Sequence, residues 1–309
     1  MDVPFVSRRP EKPTERPVAQ CLISFGSNLG QRKSVIAEAA RQIANSPFIR
    51  LFAASRLFET PPIGGPDGQE PFLNAVAALE TTASAREILT LLQSVEELLG
   101  RQRHQRWSAR SIDLDVILHG QLIGSQSALI VPHPRYTARQ FVLQPACDVA
   151  AHYFDPRFGW TIGQLTQHLS AGVPSISLVG SDRATRRLLC KRLEEEHGIC
   201  TFKGSEEFDV SRDFEIGAWV SENPPPLPEY RSIDSTSNAS LPRLIARVSR
   251  TTAETRWPAP HLIWPSTARW PEYRLEIDDL DWAVKEIASA IDSMRCPVRP
   301  VSADGRWYQ

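Results

Sequence analysis

Residues 101–120 read RQRHQRWSARSIDLDVILHG. Arg101, Arg103, Arg106 and Arg110 follow one another with no acidic residue between them, directly before a short apolar run that Asp113 and Asp115 interrupt. Across Ile112-Asp113-Leu114-Asp115-Val116 a period of two places both carboxylates on one face of a strand and Ile112, Leu114 and Val116 on the other. Neighbouring carboxylates on one face repel each other unless a hard cation sits between them. Mg²⁺ held by one or two carboxylates plus substrate phosphates is the usual arrangement in phosphoryl transfer. Guanidinium groups bind phosphate oxygens bidentately and stay charged at every physiological pH. The stretch therefore predicts an anion clamp running into a metal site. The plainer alternative is a strand with one solvated face behind a basic loop.

Composition narrows the classes. A chain of 309 residues suffices for two domains with separate cores. A formal net charge of −1 provides no global attraction to nucleic acid or membrane, so anion recognition must be local and a small phosphate ligand is favoured. The five cysteines, at 21, 147, 190, 200 and 296, form no C-x-x-C pair and no cluster with histidine; their odd number argues against a disulfide framework and points to a reducing cytoplasm. No apolar run reaches the length of a membrane span, and residues 1–19, with four prolines and several charges, lack the apolar core of a signal peptide and are expected to be a disordered tail.

Upstream of the arginines, Cys21 to Phe25 is a short apolar run ending in Gly26-Ser27-Asn28-Leu29-Gly30, followed by Val35, Ile36, Ala39, Ala40 and Ile43 at helical spacing. Phe48 to Phe58 is rich in strand formers and precedes a Pro/Gly-rich loop from Glu59 to Gly68 with the composition of a lid. Phe72 to Leu79 alternates, so Phe72, Asn74, Val76 and Ala78 share one face. Ser84 with Glu87 forms a capping box ahead of the stripe Ile88, Leu91, Leu92, Val95 and Leu99. The order strand, helix, strand, strand, helix, strand is that of a ferredoxin-like α+β domain with added helices, expected over residues 20–172. Residues 173–309 predict a smaller α/β domain. Its strand candidates are Ile176 to Val179, Phe214 to Val220, Leu244 to Val248, His261 to Trp264 and Tyr273 to Ile277, with helices at Arg183 to His197 and Asp279 to Met294 and a proline-rich run between Ser221 and Pro242.

Gly26-Ser27-Asn28, Thr60-Pro61-Pro62, Phe72-Leu73-Asn74, Arg106-Trp107-x-x-Arg110-x-x-Asp113-Leu114-Asp115 and Val131-Pro132-His133-Pro134, in that order, make residues 20 to about 170 resemble the 6-hydroxymethyl-7,8-dihydropterin pyrophosphokinase family. The resemblance implies a ferredoxin-like fold, in agreement with the element order. It further implies transfer of pyrophosphate from ATP to the hydroxymethyl group of the pterin, with release of AMP, in folate biosynthesis. Two Mg²⁺ ions would arrive with ATP on Asp113 and Asp115, and Arg101 and Arg110 would complete the catalytic set. By the same carry-over Gln93, Glu96, Arg103, Trp107, Arg110, His133 and Arg139 would line the ATP site, with Val116 nearby. Phe72 and Phe141 would sandwich the pterin while Asn74 and the backbone of Thr60, Pro61 and Ile63 read its edge. Gly26 to Asn28 is expected to be a structural turn rather than a ligand contact. The sequence departs from the pattern at Ala109, where a proline is usual, and at Gln140, which replaces a glycine.

Residues from about 174 onward look faintly similar to deoxynucleoside kinases, with strand, glycine and helix at Ser177 to Leu189. Gly180-Ser181-Asp182-Arg183-Ala184-Thr185-Arg186 lacks the second glycine and the lysine of a phosphate loop, so the expectation is a degenerate domain, non-catalytic and dispensable for the chemistry of the first. The competing classes are a catalytically dead pterin- or nucleotide-binding module, a bifunctional enzyme with an active C-terminal nucleoside kinase, and a ferredoxin-like RNA binder. The last is disfavoured by the charge balance and the absence of a basic, aromatic sheet motif.

Overall fold

The computed structural model describes residues 16–66, 68–101, 110–126, 128–204, 207, 209, 216–224, 241–250 and 269–309. Arg103, Arg106, Trp107 and Ala109 lie outside the described residues, as do the strand expected at 261–264 and most of the proline-rich run.

The first unit runs β1 (Ala19–Ser27), α1 (Arg32–Ala44), β2 (Ile49–Ala54), β3 (Phe58–Thr60), β4 (Phe72–Thr81), α2 (Ala85–Leu98) and β5 (Asp113–His119). The strand expected over Phe48 to Phe58 is thus two pieces, both antiparallel to β4, interrupted where Ser55 turns its hydroxyl to the amide of Val76 at 3.0 Å. β4 pairs with β1 and β1 with β5, all antiparallel, giving the split βαβ order of a ferredoxin-like sheet. The Ser84/Glu87 capping box is present at the start of α2. α1 and α2 cover one face, where Ile36, Ile43, Ile88 and Leu92 pack on Ile23, Leu73, Ala75, Leu79, Leu114 and Val116. The alternation along β4 and β5 holds as expected: Val76 and Ala78 belong to the opposite layer, and Asp113 and Asp115 face away from the helices.

A short hairpin of β6 (Gly124–Gln126) and β7 (Leu129–Val131), a turn of 3-10 helix at Tyr136–Ala138, α3 (Gln140–Ala150) and α4 (Ile162–Ser170) complete this half. β8 (Ser175–Val179), α5 (Arg183–His197), β9 (Cys200–Phe202), β10 (Trp219–Ser221), β11 (Leu244–Ser249), β12 (Glu272–Glu276) and α6 (Leu280–Met294) build the second. Its described strands are parallel in the order β12-β11-β8-β10-β9, so the first strand of the unit lies at the centre. Helices and an all-parallel sheet confirm α/β character here.

The two halves share more than a linker. β13 (Arg299–Pro300) returns to pair antiparallel with β3, and Trp307 reaches 6.3 Å from Phe25 while donating Nε1–H to the carbonyl of Ser55 at 2.7 Å. Gly305 passes so close to β2 that a Cβ there would overlap the carbonyl oxygen of Ala54, which only glycine avoids. One continuous apolar core joins Leu22, Val76 and Leu118 of the first sheet through α3 and α4 to Leu178, Leu275 and Ile287. At the junction Trp160, His168 and Trp270 meet edge to face, with His168 5.0 Å from Trp160 and 5.2 Å from Trp270.

Candidate active site

The site grows out of strand register. Gly26 lies opposite Asn74 on one side and Asp113 on the other, and Ser24 lies opposite Asp115. Glycine in the middle of this row keeps the floor low: a Cβ there would stand 3.5 Å from Asn74 Oδ1 and 3.9 Å from both the Asp113 Cβ and the Phe72 ring. Above it opens a cavity of about 130 Å³ lined by Thr60, Pro61, Ile63, Phe72, Asn74, Arg110, Asp113, Asp115, Arg139 and Phe141. All six residues expected around the pterin are therefore brought together with Asp113 and Asp115. Asn74 is buried and donates its amide to Thr60 Oγ1 at 2.9 Å, which fixes the direction of its carbonyl oxygen.

The carboxylate end is already compensated. Arg110 Nη1 lies 2.6 Å from Asp113 Oδ2 and Arg101 Nη2 lies 2.7 Å from Asp113 Oδ1. Arg110 is held from behind, its amide donating to Asn28 Oδ1 at 2.7 Å and its carbonyl accepting from the Asn28 amide at 3.1 Å, while Ser27 Oγ donates to the Ser111 carbonyl at 2.6 Å. Gly26 and Ser27, expected in a turn, are the last residues of β1, and Gly26 lines the cavity; Ser27 and Asn28 bracket the arginine. Asp115 is freer, with Arg139 and His133 Nε2 each 3.9 Å from its Oδ2. Burial, then the charges of Arg139 and Arg135, push the His133 imidazole well below its usual range, so the ring is neutral at pH 7. Its Nδ1 accepts the amide of Arg135 at 3.2 Å, which leaves the proton on Nε2 toward Asp115. Arg139 also stands over the Phe141 ring, 5.7 Å from its centre.

Three expected ATP-site residues lie away from the cavity wall. Glu96 is 3 % exposed and sits beneath β5, where its Oε1 accepts the amide of Leu114 at 2.8 Å and pairs with Arg101. Burial raises its pKa against the opposing pull of Arg101, and it does not line the cavity. Val116 turns its side chain into the core under α1 and α2, and Gln93 is half-buried on α2 outside the cavity wall. Arg103 and Trp107 fall outside the described residues. Gln140 is buried, donating its amide to Ser170 Oγ at 3.3 Å, and so ties α3 to α4.

Residues of the second unit complete the cavity. Tyr273 of β12 and Glu286, Ser289, Ala290 and Ser293 of α6 line it together with the pterin-side residues. The segment after His133 is tied to the same elements: the Arg274 amide donates to the Pro134 carbonyl at 3.2 Å and Thr137 Oγ1 to the Glu272 carbonyl at 2.9 Å. The expectation that the second unit is dispensable is at odds with this wall.

Two same-face carboxylates answered by arginines at one end of an aromatic-lined cavity place the chain in the class of metal-assisted phosphoryl-transferring enzymes, rather than with RNA-binding ferredoxin-like domains that use an open sheet face. A family model for "7,8-dihydro-6-hydroxymethylpterin-pyrophosphokinase (HPPK)" matches residues 22–151. Proteins named 2-amino-4-hydroxy-6-hydroxymethyldihydropteridine pyrophosphokinase match in Methylorubrum extorquens (36% identical over 133 residues, 43% of this chain and 84% of that protein) and in Pseudomonas aeruginosa (38%, 43% and 82%). A Synechocystis protein of the same name is 31% identical over 180 residues, covering 56% of this chain and 91% of its own. Among solved structures, Plasmodium falciparum HPPK-DHPS A437G with SDX-DHP overlaps at a TM-score of 0.40 and 12% identity over 77% of this chain and 65% of that one, too loose a likeness to bear on the fold. The chain belongs to the 7,8-dihydro-6-hydroxymethylpterin-pyrophosphokinase family. No helix among the described residues is long and apolar enough to cross a membrane.

Proposed function

We propose that the chain transfers pyrophosphate from ATP to 6-hydroxymethyl-7,8-dihydropterin, giving the pterin diphosphate and AMP, as its family does in folate biosynthesis. The observation that carries this reading is the single cavity whose aromatic end, Phe72 and Phe141 with Asn74, opens onto Asp113 and Asp115. The pterin would lie between the rings with its hydroxymethyl group toward the carboxylates. Its hydroxyl oxygen forms the new bond to the β-phosphorus of ATP, the bond between that phosphorus and the α–β bridging oxygen breaks, and AMP leaves with the electron pair. The hydroxyl proton would pass to water, since Asp113 and Asp115 would both be occupied as Mg²⁺ ligands.

Asp113 and Asp115 are hard oxygen donors on one face, and among the described residues no cationic group lies nearer than 3.9 Å to Asp115, so the pair fits Mg²⁺ bound jointly by carboxylates and phosphates. Two such ions would neutralise charge on the phosphates and orient them in line. Arg110 and Arg101 now rest on Asp113; with the triphosphate bound they would turn part of their donors to its oxygens, and Asn28 keeps Arg110 within reach. His133 and Arg139 stand on the Asp115 side as the remaining described ATP contacts. Rate then comes from positioning and charge neutralisation rather than from a general base. Incubating the full chain with ATP, Mg²⁺ and the dihydropterin should release AMP and pterin diphosphate in equal amounts; ATP left intact under those conditions would overturn the reading.

For the second unit we propose a degenerate relative of phosphate-loop kinases. Its central strand β8 ends in a loop at the switch point of a parallel sheet, where such domains bind phosphate, and this favours a nucleotide site. Arg186 opposes it. The guanidinium donates to the carbonyls of Gly180 at 2.7 Å and Ser181 at 2.9 Å and to that of Glu222 at 2.8 Å, so the loop is turned to offer oxygens to a resident cation. Asp182 caps α5 by accepting the Thr185 amide at 2.8 Å and puts a negative charge where phosphate would dock.

A further inference from the structure

Resting on the pterin reading of the cavity, we propose that α6 of the second unit is a wall of the pterin site and that Glu286 accepts a hydrogen bond from an N–H group of the bound heterocycle. Glu286, Ser289, Ala290 and Ser293 recur every three to four residues and so form one stripe of α6, and that stripe faces the same cavity as Phe72, Asn74 and Phe141. Small residues at 289, 290 and 293 leave room for a planar ligand. Glu286 supplies the polar contact.

Its carboxylate is 4 % exposed and half used. Oε1 accepts the Tyr273 hydroxyl at 2.5 Å and lies 2.8 Å from Arg135 Nε, whereas Oε2 is buried without a hydrogen-bond partner among the described residues. A buried carboxylate oxygen left unpaired is costly, and cavities that bind ligands are where such groups are kept. An ionised carboxylate can only accept, and a dihydropterin carries an amino group and ring N–H donors that need acceptors around the apolar sandwich. Arg135 balances the charge, and Tyr273, whose phenol is pushed well above its usual range by burial and then by Glu286, stays protonated and keeps donating. The side chain is thereby held through Oε1, and Oε2 is left as its unused acceptor. On this account the second unit contributes directly to recognition of the pterin.

Glu286→Gln tests the contact without changing shape. If the amide keeps its oxygen on Tyr273 and Arg135, its NH₂ takes the place of Oε2 and meets a donor with a donor. In the full chain, binding of fluorescent 6-hydroxymethylpterin in the presence of a non-hydrolysable ATP analogue should weaken by roughly tenfold or more, while affinity for the analogue alone stays within about twofold. Ala290→Phe should block the pterin likewise. In the unaltered chain, pterin added over saturating analogue should slow amide exchange across 280–294, a measurement that needs no variant to fold. Unchanged pterin affinity in both variants, or exchange in α6 that ignores the pterin, overturns the inference. Failure of the functional reading is separate, since it appears as absent AMP release by the unaltered chain.

Discussion

Glu96 Oε1 accepts the amide of Leu114 at 2.8 Å from beneath the strand, between the two residues whose side chains, Asp113 and Asp115, face the cavity above. The same carboxylate pairs with Arg101, which in turn reaches Asp113. One buried acid therefore sets both the height of the Asp113/Asp115 pair and the place of Arg101 beside it. Glu96→Ala removes that acceptor and should cost about 1–3 kcal/mol of stability together with activity, whereas Glu96→Gln, which keeps an oxygen for Leu114, should cost less of both. Urea unfolding and AMP release measured side by side check it; equal losses in the two variants would show that the hydrogen bond to Leu114 is immaterial.

Asp113 and Asp115 should separate in stability while agreeing in activity. Asp113→Asn leaves Arg101 and Arg110 without their shared partner and should lower stability by roughly 1 kcal/mol, the pairs being partly solvated. Asp115→Asn, with no cation among the described residues nearer than 3.9 Å, should stay within about 0.5 kcal/mol. Both should abolish turnover. An active variant of either kind would remove the metal role from that residue.

Arg110→Ala should lower kcat by roughly 100-fold, the usual effect of one preorganised charge at a developing phosphate charge, about 3 kcal/mol. Because Asn28 holds the backbone and not the guanidinium, the turn survives and the melting temperature should move little. A fall in ATP affinity with kcat intact would make the arginine a binding group only.

His168 predicts an acid-labile junction. Burial, and then the neighbouring Arg243 charge, depress its imidazole from 6.5 to about 3, while Nε2–H donates to the Arg243 carbonyl at 3.0 Å. Between those values the unfolded chain binds the proton and the folded chain does not. Stability from this group is thus present above about pH 6.5 and is lost as pH falls toward 3, with a slope of up to about 1.4 kcal/mol per pH unit. Urea midpoints should drop from pH 7.5 to pH 5, and His168→Gln, which retains a donor, should flatten the drop. The same drop in the variant would assign the lability elsewhere.

Arg186 and Asp182 together predict one ATP site per chain. Calorimetric titration of the full chain with a non-hydrolysable ATP analogue and Mg²⁺ should saturate at a ratio near one, and Arg186→Ala should not add a second site, because Asp182 remains. A ratio near two would make the chain bifunctional.

Much of the first unit is legible from period alone. Alternation in β4 and β5 sorts Phe72, Asn74, Asp113 and Asp115 onto one face, and in a sheet with β1 between them they have to converge. Glu96 is expected as an ATP contact only through the family resemblance, yet it lies four residues after Leu92 and one after Val95 on the buried stripe of α2, where a carboxylate signals a buried partner more than a ligand. The α6 wall was not legible. Ser289, Ala290 and Ser293 look like any well-packed helix, and what they face is decided by how two sheets dock, through contacts between residues far apart in the chain. β13 is two residues long and contains a proline, so no strand pattern exists to be read.

The pairing of β13 with β3 also orders events during synthesis. β3, which carries Thr60 at the cavity edge, gains its outer neighbour only when residues 299–300 have been made. At about 5–20 residues per second the first half waits several seconds with that edge open and with the face later covered by α6 in water. A nascent chain stalled before residue 280 should therefore bind pterin poorly and engage chaperones, and both properties should change together once the last helix and strand are released.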